Sequence, residues 1–364
     1  MSQFLSPEAA RLAPYTPGEQ PRDQQYIKLN TNESPFPPSP AVAAAVAGAD
    51  AQALQLYSDP TCAALHRAIA RYYGVEEENV LAGNGSDEVL ALCFPAFGDE
   101  DTPLRMPALT YSFYPVYATL FSLPYVRVPL RGLDIDVDGL LAGGNVILAN
   151  PNAPTGRALS LDTLARMGRC LRDRGEVFIV DEAYIAFGGQ SARPLLEELD
   201  NLLITRTLSK DHSLAGLRVG YALGHPQLID GLRRAKDSFN SYPVDRLAIA
   251  AATAALQDEP YFAACRDAIV ETREFFHEGM VALGFEPNPS CANFVFMRHP
   301  QVPGKRIYEA LKARRVFVRR FDQPGIEDYL RISIGSRQDM ETLLRLLKDC
   351  LPALRGQGKE TVDP

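Results

Sequence analysis

The chain has 364 residues, of which 46% are hydrophobic and 23% charged, with a formal net charge of -8. A chain this long can bury roughly 75% of its unfolded surface and needs no disulfide or metal to hold its core, and its acidic balance argues against nucleic acid or an anionic membrane as a partner. Six cysteines lie far apart, with no CxxC pair and no interleaved histidines, a pattern that fits reduced core thiols in the cytoplasm better than a zinc site or a disulfide framework.

The N-terminus, MSQFLSPEAARLAPY, has neither the basic nor the apolar region of a signal peptide. No apolar run approaches the ~18–20 residues of a membrane helix. Residues 1–40 contain Pro14, Pro17, Pro21, Pro35, Pro37, Pro38 and Pro40 and cannot form one helix. Within them "YIKLNTNESPF" mixes apolar and polar residues like a strand, so this stretch reads as an ordered arm. A helix is predicted after Pro60, with Asp59 as N-cap, Leu65, Ile69 and Tyr72 on one face and Gly74 as its stop. The segment "NVLAGNGSDEVLALCFPAF" turns at residues 83–86 and enters a second helix with Asp87 and Glu88 in its first turn.

From there short apolar strands alternate with helical patterns. "NVILANPNAPTG", "EVFIVDEAY" and "NLLITRTLSK" each carry an apolar run that ends in polar residues, the mark of a parallel sheet covered on both faces. Ligands gather beyond the C-terminal ends of such strands. Those ends hold residues 150–152, 181–184 and 207–210. After about residue 250 long helical stretches lead to short strands that deliver Arg319 and Arg331, a smaller α+β unit. The organisation read from this is an arm (1–40) that joins the small domain, a large domain (41–250) and a small C-terminal domain (251–364).

Asp181 at the end of a buried strand is costly unless a proton donor or cation pairs with it. A buried lysine such as Lys210 becomes a nucleophile as its pKa falls. Pyridoxal phosphate asks for these two groups, the lysine for a Schiff base and the carboxylate for the ring nitrogen. Backbone amides at a helix start, at Ser86 and Asp87, suit its phosphate, with Ser209 and Arg218 to complete the cradle. No GxGxxG follows a strand, and no histidine pair has ligand spacing, so a dinucleotide or a metal is not expected.

In order, "LNTNESPF", "GNGSDE", "NPNAPTG", "VDEAY" and "TLSKDHSLAGLRVGY" make the chain resemble the fold-type-I aminotransferases, and within them the histidinol-phosphate branch, from about residue 15 to 335. The resemblance implies an α/β fold with a mostly parallel seven-stranded sheet and a smaller α+β domain. It implies Lys210 as Schiff-base lysine and proton shuttle, Asp181 on the pyridinium, Tyr184 on the ring oxygen and Tyr111 stacked on the ring. Ser86, Asp87, Thr207, Ser209 and Arg218 would hold the phosphate, and Tyr57 would reach the neighbouring subunit's site in a homodimer. Tyr15, Glu33, Arg319 and Arg331 would meet substrate. The family's asparagine to the ring oxygen falls at Ala153 here, so Asn152 is the candidate replacement, with Tyr184 acting alone as the alternative. Related enzymes acting on aromatic amino acids, a threonine-phosphate decarboxylase and, remotely, a non-catalytic sensor share the pattern.

Overall fold

The computed structural model describes residues 4–12, 19 and 26–356. Strand β1 (Ile27–Leu29) lies in the arm. Seven more form the large sheet: β2 (Val80–Asn84), β3 (Leu104–Pro107), β4 (Tyr125–Val128), β5 (Val146–Ala149), β6 (Phe178–Asp181), β7 (Leu202–Thr207) and β8 (Val219–Gly224). Their spatial order is β2-β8-β7-β6-β5-β3-β4, and only β8 runs against the rest. Alternate residues point to opposite faces of a strand, and both faces are apolar here. Leu202 and Ile204 enter one core and Leu203 the other; Phe178 and Val180 are divided from Ile179 in the same way. Helices cover both faces, as the continuous apolar runs require.

The smaller sheet takes β9 (Phe294–Arg298), β10 (Val316–Arg320) and β11 (Tyr329–Ser333) in the order β1-β10-β11-β9. The arm therefore belongs to the second sheet, through parallel pairing of residues 27–29 with 316–318. The sequence boundary at residue 250 falls inside the helix Arg246–Gln257, whose buried alanines pack in the large-domain core. The following helix, Glu259–Ala282, starts in that core at Phe262 and continues into the small-domain core at Ile269 and Phe276.

The helix expected from Pro60 begins later, at Ala63, and ends at Tyr73. Asp59 does not cap it in the expected place. Its carboxylate accepts from the Thr61 N–H, the Thr61 hydroxyl and the Ala63 N–H, making a turn first. Gly74 stops the helix as expected, in the left-handed region at φ 62 where glycine has no Cβ penalty.

Candidate active site

Six neighbouring strands bring their site residues to one edge. Ser86 follows β2, Lys210 and Ser209 follow β7, Asp181 ends β6, Ala153 follows β5 and Tyr111 follows β3. Because β8 runs antiparallel, its start, not its end, lies at this edge, and Arg218 immediately precedes it. All seven residues line one cavity, together with Asp87, Thr207, Tyr184, Arg319, Arg331 and the arm residues Asn30, Thr31 and Asn32.

Lys210 Nζ donates to the Thr31 carbonyl at 3.0 Å. Burial lowers its pKa to about 8, with Arg331 and Arg218 adding to the shift against Glu33 and Asp87. Asp181 is 4% exposed, and among the described residues no lysine or arginine forms an ion pair with it. Its Oδ2 accepts from the Tyr114 hydroxyl (2.8 Å) and its Oδ1 from the Ala183 N–H (3.1 Å). Burial nevertheless pushes its pKa up to about 6.

At the other end Arg218 donates to Ser209 Oγ (3.2 Å) and to Asp87 Oδ2 (3.1 Å), and the Tyr111 hydroxyl donates to Asp87 Oδ1 (2.6 Å). Ser86 and Asp87 lie in the first turn of the helix Gly85–Phe97, where backbone N–H groups lack helical partners. A Cβ at Gly220 would stand 2.1 Å from the Ser86 nitrogen, so only glycine lets β8 approach this turn. Arg319 and Arg331 are direct cross-strand partners in β10 and β11, which is why both reach the cavity. Arg331 also donates to the Asn30 carbonyl at 3.1 Å.

These groups fit pyridoxal phosphate on the structure's own terms. A buried carboxylate without a cationic partner suits a protonated ring nitrogen, a helix start with an arginine and a serine hydroxyl suits a phosphate, and a half-buried amine of low pKa suits a carbonyl carbon.

Two expected residues do not line the cavity, Asn152 and Glu33, and Tyr57, expected at the neighbouring subunit's site, lies outside this one. Asn152 is buried away from the cavity, its Nδ2 committed to the Leu109 carbonyl (3.0 Å) and Thr155 Oγ1 (3.1 Å), so the methyl of Ala153 occupies that wall. The turn has not shifted to bring Asn152 in. Tyr57 is 80% exposed and stacks on Tyr242 (4.6 Å between rings) outside the cavity. Glu33 lies beside the cavity lining. Both its oxygens accept from Lys28 Nζ, and Thr31 Oγ1 donates to it at 2.8 Å; these outweigh burial and hold its carboxyl below its usual pKa. Tyr15 lies outside the described residues. Tyr114 and Asn32 escaped sequence reasoning. Tyr114 was indistinguishable from its aromatic neighbours in "TYSFYPVY", and Asn32 in "LNTNESPF" carried no signal beyond a polar residue near a strand.

Residues 24–347 match the family model described as aminotransferase class I and II. The chain belongs to that family. A histidinol-phosphate aminotransferase of Chromohalobacter salexigens is 49% identical over 96% of this chain and 99% of its own. Another, from Bordetella parapertussis, is 49% identical over 96% and 99%. The solved histidinol-phosphate aminotransferase of Sinorhizobium meliloti, in complex with pyridoxal-5'-phosphate, superimposes with a TM-score of 0.83 at 27% identity, covering 90% of this chain and 91% of that one. Within the aminotransferases the chain therefore groups with the histidinol-phosphate aminotransferases. Among the described residues no helix is long and apolar enough to cross a membrane.

Proposed function

We propose that the protein is a pyridoxal-phosphate-dependent aminotransferase that moves the amino group of glutamate onto imidazole acetol phosphate, giving histidinol phosphate and 2-oxoglutarate in histidine biosynthesis. The observation that carries the substrate class is the pair Arg319 and Arg331. The two guanidinium groups stand on one cavity wall with Lys210, and guanidinium groups suit planar or tetrahedral anions. The same pair would serve a phosphate in one half-reaction and carboxylates in the other.

When bound, the cofactor supplies a carbonyl carbon and an electron-withdrawing ring, so that an amino group can be held between two substrates. Lys210 Nζ would be the amine for that carbonyl carbon and the group that takes and returns the proton at the carbon bearing the substrate nitrogen. Asp181 would face the ring nitrogen and favour its protonated form. Tyr184 would donate to the ring oxygen, and the Tyr111 ring would pack against the cofactor. Ser86 and Asp87 through their N–H groups, with Thr207, Ser209 and Arg218, would hold the phosphate. Arg319 and Arg331 would orient the substrate's anionic end, and Glu33, beside the lining, would have to leave Lys28 Nζ to meet its imidazole.

The working form is a cytoplasmic homodimer in this reading. Leu54, Leu56 and Tyr57, at 55%, 66% and 80% exposure, support a covered face that carries Tyr57 to the neighbouring site. Six thiols, none in a disulfide, support the cytoplasm. The test mixes protein loaded with pyridoxal phosphate separately with histidinol phosphate, glutamate, phenylalanine and threonine phosphate. Rapid loss of the visible band with the first two supports the assignment. Faster loss with phenylalanine than with histidinol phosphate rejects the substrate, and no band at all rejects Lys210.

A further inference from the structure

Asn32 is 1% exposed and left-handed, with φ 56, yet its polar groups are engaged in a way that fixes proton directions. Its N–H donates to Ser333 Oγ (2.8 Å), and Ser333 Oγ donates back to Asn32 Oδ1 (2.8 Å). Its carbonyl accepts from Asn293 Nδ2 (3.0 Å), and its own Nδ2 donates to Tyr184 Oη (2.9 Å). A hydroxyl has one proton to give. Ser333 receives the Asn32 N–H and directs its one proton at Oδ1, which makes that atom the acceptor and turns the NH2 group to Tyr184. Tyr184 Oη in turn receives a proton from Asn32, so its own proton is given on another side. Tyr184 lines the cavity, and the side chain of Ala153, on the same lining, is a methyl with no proton to donate.

We infer that Asn32 is a positioning residue of this site: its amide commits the Tyr184 hydroxyl to donate into the cavity, to the ring oxygen of pyridoxal phosphate, where Ala153 offers no donor. The inference rests on reading the cavity as the cofactor site. It makes the arm, through one amide held by the small domain, a determinant of the electronics of a cofactor carried by the large domain.

The experiment is a pH titration of the visible absorbance of the protein loaded with pyridoxal phosphate, with cofactor affinity followed by fluorescence. The proteins are wild type, Asn32→Gly, Ser333→Ala, Tyr184→Phe and the Asn32→Gly/Tyr184→Phe double variant. Glycine adopts the left-handed φ without strain, and Ser333→Ala loosens the amide's orientation while leaving Asn32 in place, should the first variant fold poorly. A donor to the ring oxygen stabilises negative charge there and lowers the midpoint, so its loss raises it. Tyr184→Phe is expected to raise the midpoint by about one pH unit, the scale of a hydrogen bond to a charged oxygen. Asn32→Gly and Ser333→Ala are expected to shift it in the same direction, and the double variant no further than Tyr184→Phe alone. Additive shifts in the double variant, or Asn32→Gly and Ser333→Ala both titrating at the wild-type midpoint while Tyr184→Phe moves, overturn the inference. Wild-type protein that shows no titrating band defeats the cofactor reading instead.

Discussion

The low pKa of Lys210 has a direct kinetic consequence. Only the unprotonated amine attacks a carbonyl. With the pKa lowered to about 8, mainly by burial and then by Arg331, about one amine in ten is unprotonated at pH 7. An ordinary lysine near 10.5 has about one in three thousand, so the site gains roughly 300-fold in reactive amine. The measurement is the rate at which cofactor-free protein forms its visible band with pyridoxal phosphate between about pH 6 and 10, with borohydride trapping and peptide mapping to Lys210. The rate is expected to rise tenfold per pH unit, bend near pH 8 and level off. Arg331→Met removes a neighbouring cation and is expected to move the bend upward. A rate still rising tenfold per unit at about pH 9.5, with the label on Lys210, would refute the argument that burial and Arg331 depress this amine.

His66 accepts the Ala82 N–H on Nε2 (3.0 Å), and burial, with Arg233, lowers its pKa to about 4. Below about pH 6.5 the unfolded chain binds a proton that the folded protein refuses. Stability is therefore lost as pH falls toward 4, by at most about 3 kcal/mol; His66→Gln should flatten the acid limb of Tm against pH, and an unchanged limb counts against this. Arg206 donates through Nε and Nη2 to the Glu182 carboxylate, whose side chain is fully buried. Arg206→Met should cost about 3–5 kcal/mol in urea denaturation, with much of it recovered in Arg206→Met/Glu182→Gln; a single-variant loss below about 1 kcal/mol contradicts it. Gly220→Ala must push β8 off the Ser86 turn. It should cost about 1–3 kcal/mol and weaken cofactor binding in equilibrium dialysis, and unaltered affinity and stability would show that the turn can yield.

Much of this arrangement was legible in the chain because two kinds of signal coincided. The runs at 146–149, 177–180 and 202–204 were apolar on both faces, so a covered parallel sheet followed from period and length alone. Their ends carried Asp181, Tyr184 and Lys210, residue types that are costly where a buried strand stops. The antiparallel strand β8 was not readable: "VGYALG" has no turn signal separating it from the loop before it, and its direction is set by where the neighbours lie. The start of the helix at Ala63 was missed because Asp59 serves a turn as well as it serves a cap. Asn152 was the natural substitute for Ala153 by spacing, yet its direction depends on the carbonyl of Leu109, 43 residues earlier. Asn32 and Tyr114 act through partners 152 and 67 residues distant, which no local pattern encodes.

The pairing of β1 with β10 also sets a timetable for synthesis. Domains fold as units while the chain emerges, and every strand of the large sheet lies between residues 80 and 224. The strands that carry Lys210, Asp181 and Arg218 are therefore all synthesised before the last third of the protein. Residues 27–29 must wait for 316–318 before they have a sheet to join. Until then Thr31 and Asn32 are not held over the site, and Arg319 and Arg331 have yet to be made. A nascent chain of that length holds one wall of the cavity, and the wall that carries the two arginines is the last to be made.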